Sequence, residues 1–126
     1  MLLNPESESM LLSAFIKFPR RTGSTCVEKR LGSSAFSSPE NAELYKHLLG
    51  VWAEDKPIDP HMITFGLKKA GLLASVGGVE RLQHLALICP SAELVEAGVD
   101  ELKDLEHRRR LLDACKDVYE SLQGDS

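Results

Sequence analysis

Apolar residues recur along this chain at three- and four-residue steps, the spacing that keeps one face of an α-helix buried. Met10, Leu11, Ala14, Phe15 and Phe18 form the first such series. Asn4 stands ahead of it as a cap, with Pro5, Glu6 and Glu8 in the first turn, where a positive helix end suits them, and Pro19 ends it. Thr25 and Glu28 have capping-box spacing and predict a short second helix that stops at Gly32. The Ser-rich loop 33–38 holds one large apolar residue, Phe36, expected to plug into the core and pin the loop.

Ser38-Pro39-Glu40 is the next helix start, with Leu44, Tyr45, Leu48, Val51 and Trp52 as its buried face. A break follows at Pro57-Ile58-Asp59, and Asp59-Pro60 repeats the cap, opening a helix with Met62, Ile63 and Leu67 inward and Gly71 as a left-handed stop. Gly77-Gly78 admits a turn before Val79, Leu82, Leu85 and Ala86, and Pro90-Ser91 closes that helix and caps the last. From 92 to about 122 there is no proline, and Val95, Val99, Leu102, Leu105, Leu112, Cys115, Tyr119 and Leu122 keep a helical period. Such a helix would be roughly 45 Å long, so its distal half must project from a small domain. No strand-period alternation, internal repeat or low-complexity segment interrupts the pattern. The expectation is an all-α fold, with a head of about five short helices over 1–91 and a long helix over 92–126.

The 126 residues are one domain's worth, enough to bury roughly two-thirds of the unfolded chain's surface. A net charge of -4 argues against non-specific binding to a polyanion, which needs clustered Lys and Arg. Lys17, Arg20, Arg21, Lys29 and Arg30 could form a small phosphate-contacting patch, but no aromatic residue interleaves them for base stacking, and a solvated loop is the better explanation. Cys26, Cys89 and Cys115 show no metal or redox spacing and read as small apolar residues in a reducing compartment. With neither a signal-peptide pattern nor a membrane-length apolar run, the expected location is the cytoplasm.

Catalytic chemistry finds no footing. Gly77-Gly78 is followed by Val79-Glu80-Arg81, without the lysine and hydroxyl of a phosphate-binding loop. His47, His61, His84 and His107 make no metal-ligand pair along the chain. No cofactor and no metal is expected. In the last helix, Arg108-Arg109-Arg110 follows Asp100, Glu101, Asp104 and Glu106. Asp104 with Arg108 and Glu106 with Arg110 have i,i+4 spacing, which stabilises a helix by a few tenths of a kcal/mol per pair. Opposite-sign blocks on one exposed helix also set the register of an antiparallel partner.

The chain resembles the N-terminal domain of DnaB-type replicative DNA helicases. From 56 to about 118 the pattern can be followed without a gap through Pro57-Ile58-Asp59, Gly71, Val76-Gly77-Gly78, Leu82, Leu85, Pro90-Ser91-Ala92 and Arg109-Arg110-Leu111. Upstream the match is looser, through Pro5-Glu6-Ser7, Leu11-Leu12 and Phe36 with Pro39. The chain departs from the pattern at Ser37, where a tyrosine is usual, at Asn41, usually histidine, and at Gly98, where a tyrosine is common.

The resemblance implies a helical head followed by a two-helix hairpin that pairs subunits, so that six such domains form a collar above an ATP-driven motor ring. It also implies docking of primase and involvement with loaders. ATP and magnesium would belong to the motor domain, which is not in this sequence. The first hairpin helix is present, and the sequence reads as a fragment of a helicase subunit or a stand-alone relative. Leu105, Leu112, Tyr119 and Leu122 are expected to give apolar contact to a partner, and Arg109 and Arg110 to tune register. Leu112, Tyr119 and Leu122 lie beyond the reach of a small core, while Val95, Val99 and Leu102 should pack on the head. The rival reading is a stand-alone regulator, either a collar mimic or a helix-turn-helix DNA-binding protein using residues 59–88. Arg81, Gln83 and His84 behind Glu80 are poor equipment for that second role.

Overall fold

A computed structural model describes residues 5–89 and 91–124. Six α-helices follow in order: α1 (Pro5–Lys17), α2 (Pro19–Glu28), α3 (Pro39–Ala53), α4 (Pro60–Ala70), α5 (Gly78–Ile88) and α6 (Val95–Gly124). Short 3-10 turns at Ser33–Ala35, Ala74–Val76 and Ala92–Leu94 precede α3, α5 and α6. Among the described residues there is no strand.

The predicted caps form as the residue types require. The side chains of Ser38, Asp59 and Ser91 accept the backbone N–H of Asn41, Met62 and Glu93, each supplying a partner for an otherwise orphaned helix donor. Asn4 and Pro90 lie outside the described residues.

The helix stops are less regular than expected. Gly71 and Gly77 take left-handed backbone at φ 75° and 103°. Arg30 and Asp55, both at φ 57°, do the same work without being glycine. At Arg30 the bonds run from Leu31 N–H to the Cys26 carbonyl (2.9 Å) and from Arg30 N–H to the Val27 carbonyl (3.2 Å), the doubled closure of a Schellman stop.

Three expectations are corrected. The capping box at Thr25 and Glu28 does not exist, because Pro19 starts α2 directly after α1 and both residues lie inside that helix. Gly32 therefore does not end it. Met62 and Val79 face solvent, while their neighbours Ile63 and Leu82 take the buried positions.

α1 is the centre of the fold: α2, α3, α5 and α6 all pack on it. Leu11, Leu12 and Phe15 join Leu44, Tyr45, Leu48, Ile63, Leu67, Leu82, Leu85 and Leu102 in one core. Phe36 plugs the Ser-rich loop into that core as expected, its ring 4.7 Å from that of Tyr45, which also meets Phe15 edge-on at 6.1 Å. The Tyr45 hydroxyl donates to the Leu31 carbonyl at 2.6 Å, which ties the end of α2 to α3.

Polar side chains fix both ends of α1. Glu8, only 1% exposed, accepts hydrogen bonds from the Ser37 N–H (3.0 Å) and hydroxyl, the Ser38 N–H (3.4 Å) and the Asn41 amide (3.0 Å). Arg81 extends this network from α5, donating to the Asn41 side-chain oxygen and to the Val76 carbonyl. The two departures Ser37 and Asn41 thus converge on one carboxylate. At the other end, Ser13 donates to the Leu85 carbonyl and accepts from Cys89 N–H, and Lys17 donates to the Cys89 carbonyl.

Three substitutions test this packing. A Cβ on Gly23 would lie 2.3 Å from the Trp52 ring. Gly23→Ala is therefore expected to lower stability by about 1–3 kcal/mol despite alanine's better helix propensity, and to shift the fluorescence of Trp52, the single tryptophan. At Gly98 a Cβ meets nothing closer than 4.0 Å, so Gly98→Ala should stabilise by about 1 kcal/mol. For Glu8, burial opposes ionisation, but the hydrogen bonds from Ser37, Asn41 and Ser38 outweigh it and hold the pKa below the ordinary 4.5. Its contribution is fully present above pH 4.5 and is lost as pH falls through the lower folded value. Glu8→Gln should cost about 2–3 kcal/mol near neutrality and flatten the acid limb of a stability-against-pH curve.

Candidate interaction surface

α6 has two halves with different neighbours. In the first half Val95, Val99 and Leu102 are buried where the helix crosses α1 and α2. A polar row flanks them. Lys29 pairs with Asp100 (2.8 Å) and Glu96 (3.3 Å), and its hydrogen bond to Asp100 raises the ammonium pKa. Lys103 donates to the Lys29 carbonyl, Ser34 donates to the Glu106 carboxylate, and Arg109 donates to the Ala35 carbonyl at 3.0 Å. Arg109 is therefore held by the head's own Ser33–Ala35 turn.

Beyond Arg109 every described residue is exposed. The fifteen residues from 110 to 124 project about 22 Å at 1.5 Å per residue. Along this projection Leu111, Leu112, Val118, Tyr119 and Leu122 are 54% to 69% exposed.

Leu111, Cys115, Val118 and Leu122 follow 4-3-4 spacing, the seam of a coiled coil. Leu112 and Tyr119, seven residues apart, border it. Nine residues separate Leu102 from Leu111, which is two and a half turns, so the seam points away from the face that the head buries. It is a separate surface rather than a continuation of the core.

The expected interface residues fall into three groups. Leu112, Tyr119 and Leu122 lie on the projection and are exposed. Leu105 is half-buried at the edge of the head. Arg109 contacts the head, and Arg110 pairs with Glu106 at 3.4 Å, just as Arg108 pairs with Asp104 at 3.0 Å. Sequence reasoning passed over Leu111 and Val118, although the 4-3-4 spacing was there to count. Of the turn residues, Asp59 and Ser91 cap helices, Pro57 lies in the stretch before α4, and Gly77 and Gly78 form the entry to α5.

The other candidates disperse. Lys17 bonds the end of α5 and Lys29 pairs with α6, so the basic residues 17–30 do not present one patch. Arg81, which a groove-reading helix would need, is occupied by Asn41 and Val76. Among the described residues no group of His, Cys, Asp and Glu could hold a metal ion, and no helix is long and apolar enough to cross a membrane.

Comparison with known proteins places this architecture. Residues 1–104 match the family described as the DnaB-like helicase N terminal domain. A search of curated proteins found no match. Among solved structures, the crystal structure of the N-terminal domain of DnaB helicase from Mycobacterium tuberculosis superposes with a TM-score of 0.85 at 21% identity, covering 94% of this chain and 84% of that one. The fold is thus that of a replicative-helicase N-terminal domain. The chain belongs to the DnaB-like helicase N-terminal domain family.

The two halves of α6 should respond differently to substitution. Leu102→Ala is expected to cost about 2–5 kcal/mol in urea melts, as for other buried leucines. Val118→Glu or Leu122→Glu in dilute protein should change stability by less than about 0.5 kcal/mol, as exposed sites do.

Proposed function

We propose that this chain is the non-catalytic assembly domain of a replicative DNA helicase. It pairs subunits through the projecting half of α6, contributes to the collar, and contacts primase, with a helicase loader as a further partner. ATP and magnesium belong to the motor domain in this reading, the work is cytoplasmic, and DNA is not bound directly. One observation carries the proposal: an apolar seam about 22 Å long faces away from the head on a helix the head does not cover.

A lone projecting helix gains little from its own propensity, so most of its stability must come from packing an apolar face. Exposed leucine, valine and tyrosine in one stripe mark a surface that binds protein. The seam is bordered by Leu112, Ala114, Tyr119 and Ser121, while Arg110, Asp113, Lys116, Asp117 and Glu120 lie on the opposite, solvated face of the helix. Leu105, at the root of the projection, would be covered by the same partner. The helix-turn-helix alternative has no such support, since Arg81 is committed to the Glu8 network.

Sedimentation equilibrium of the wild-type chain and the Leu112→Asp, Tyr119→Asp double variant tests the reading. The wild type should self-associate at high concentration, and the double variant should be monomeric with an unchanged melting temperature. Unchanged self-association in the variant, or a wild type that stays monomeric, would overturn it.

A further inference from the structure

A second unfilled apolar surface lies away from α6, between the C-terminal half of α3 and α4. It is an open groove of about 590 Å³. Val51, Pro57, Met62 and Phe65 give it apolar walls, and Phe65 is 65% exposed. Burying a side chain of that kind is favourable, a gain the head alone does not make. Methionine and aromatic residues are the types enriched at the centres of protein interfaces.

The rim is basic in a chain whose net charge is -4. Lys46 and Lys69 line the groove, and Lys68 follows on the same helix beside Phe65. The acid on this rim, Glu54, is neutralised by Lys56 at 2.7 Å. Lys46 has a loose pair with Glu43 at 3.9 Å, and Lys69 has no ion pair among the described residues.

His47 forms part of the floor: its Nε2 is sealed from solvent without a hydrogen-bond partner, and a Cβ at Gly66 would lie 3.1 Å from it, so the imidazole sits directly against the α4 backbone. Gly50 leaves the α3 wall bare, with nothing within 4 Å of where its Cβ would be.

We infer that the α3–α4 groove docks an acidic amphipathic helix of a partner protein, its apolar face on Met62 and Phe65 and its carboxylates toward Lys46 and Lys69. An open groove between two helices is the shape that receives a helix with anchors at i, i+3 or i+4 and i+7. Charge complementarity selects acids over bases and speeds encounter. The chain's own projecting helix fits less well, since Arg110 and Lys116 stand among its carboxylates. This inference is independent of the role proposed for α6.

The test is a titration of the isotope-labelled chain, followed by amide chemical shifts. The probe is a synthetic fifteen-residue helix of leucine, alanine and glutamate, with a lysine-for-glutamate peptide and a serine-for-leucine peptide as comparisons. The Leu/Glu peptide should shift amides of α3 and α4, Phe65→Ala should weaken it by about tenfold as a hot-spot truncation does, and the double variant Lys46→Glu, Lys69→Glu should reverse the preference toward the lysine peptide. These residues are exposed, so the variants keep the wild-type melting temperature. The inference is overturned if the Leu/Glu peptide causes no shifts, if the shifts map to residues 110–124, or if the lysine or serine peptide binds equally well. It is also overturned if α3 and α4 amides shift with chain concentration alone and Leu112→Asp with Tyr119→Asp abolishes that shift, since a second copy would then fill the groove.

Discussion

Glu8 is the fully buried charged side chain among the described residues, and the position of α1 depends on how that charge is satisfied. An ionised carboxylate in an apolar interior is tolerated only when its lone pairs are filled. Here the donors come from the start of α3, at Ser37, Ser38 and Asn41. Because Asn41 passes the constraint on to Arg81, one buried group sets α1, α3 and α5 relative to one another. Ser13 and Lys17 then fix the far end of α1 against the end of α5, leaving its remaining faces for α2 and α6.

That placement decides what α6 can do. Val95, Val99 and Leu102 anchor its first half, and the polar row ending at Arg109 fixes the point of departure from the head. A helix of 30 residues then outruns the surface that could cover it. The half-turn offset between Leu102 and Leu111 turns the distal seam away from the head, so the two apolar faces of this helix do not overlap. The α3–α4 groove is on elements that have no comparable contact with α6, which leaves room for a partner on each surface.

Local chemistry made most of the fold legible. Ser38, Asp59 and Ser91 were readable as caps because a cap is satisfied within three residues of itself. The stops at Arg30 and Asp55 were not readable, because a left-handed non-glycine residue is imposed by the packing around it and has no compositional mark. Glu8 looked like an ordinary first-turn acid because its partners lie about thirty residues on. Met62 was expected inside with Ile63, yet adjacent helical positions lie 100° apart and only one could take the core. The exposed seam on α6 was visible as a period. Its direction relative to the head required knowing which turn touches the core last.

Hydrogen exchange of the amides from 110 to 124, measured at low and at high protein concentration, tests the central claim without altering any residue. If the seam pairs subunits, these amides exchange quickly when dilute, as an isolated helix does, and become protected as concentration rises, while amides of α1 stay slow throughout. Equal exchange of 110–124 at both concentrations would mean that the projecting helix has no partner in a second copy, and would contradict the assembly role.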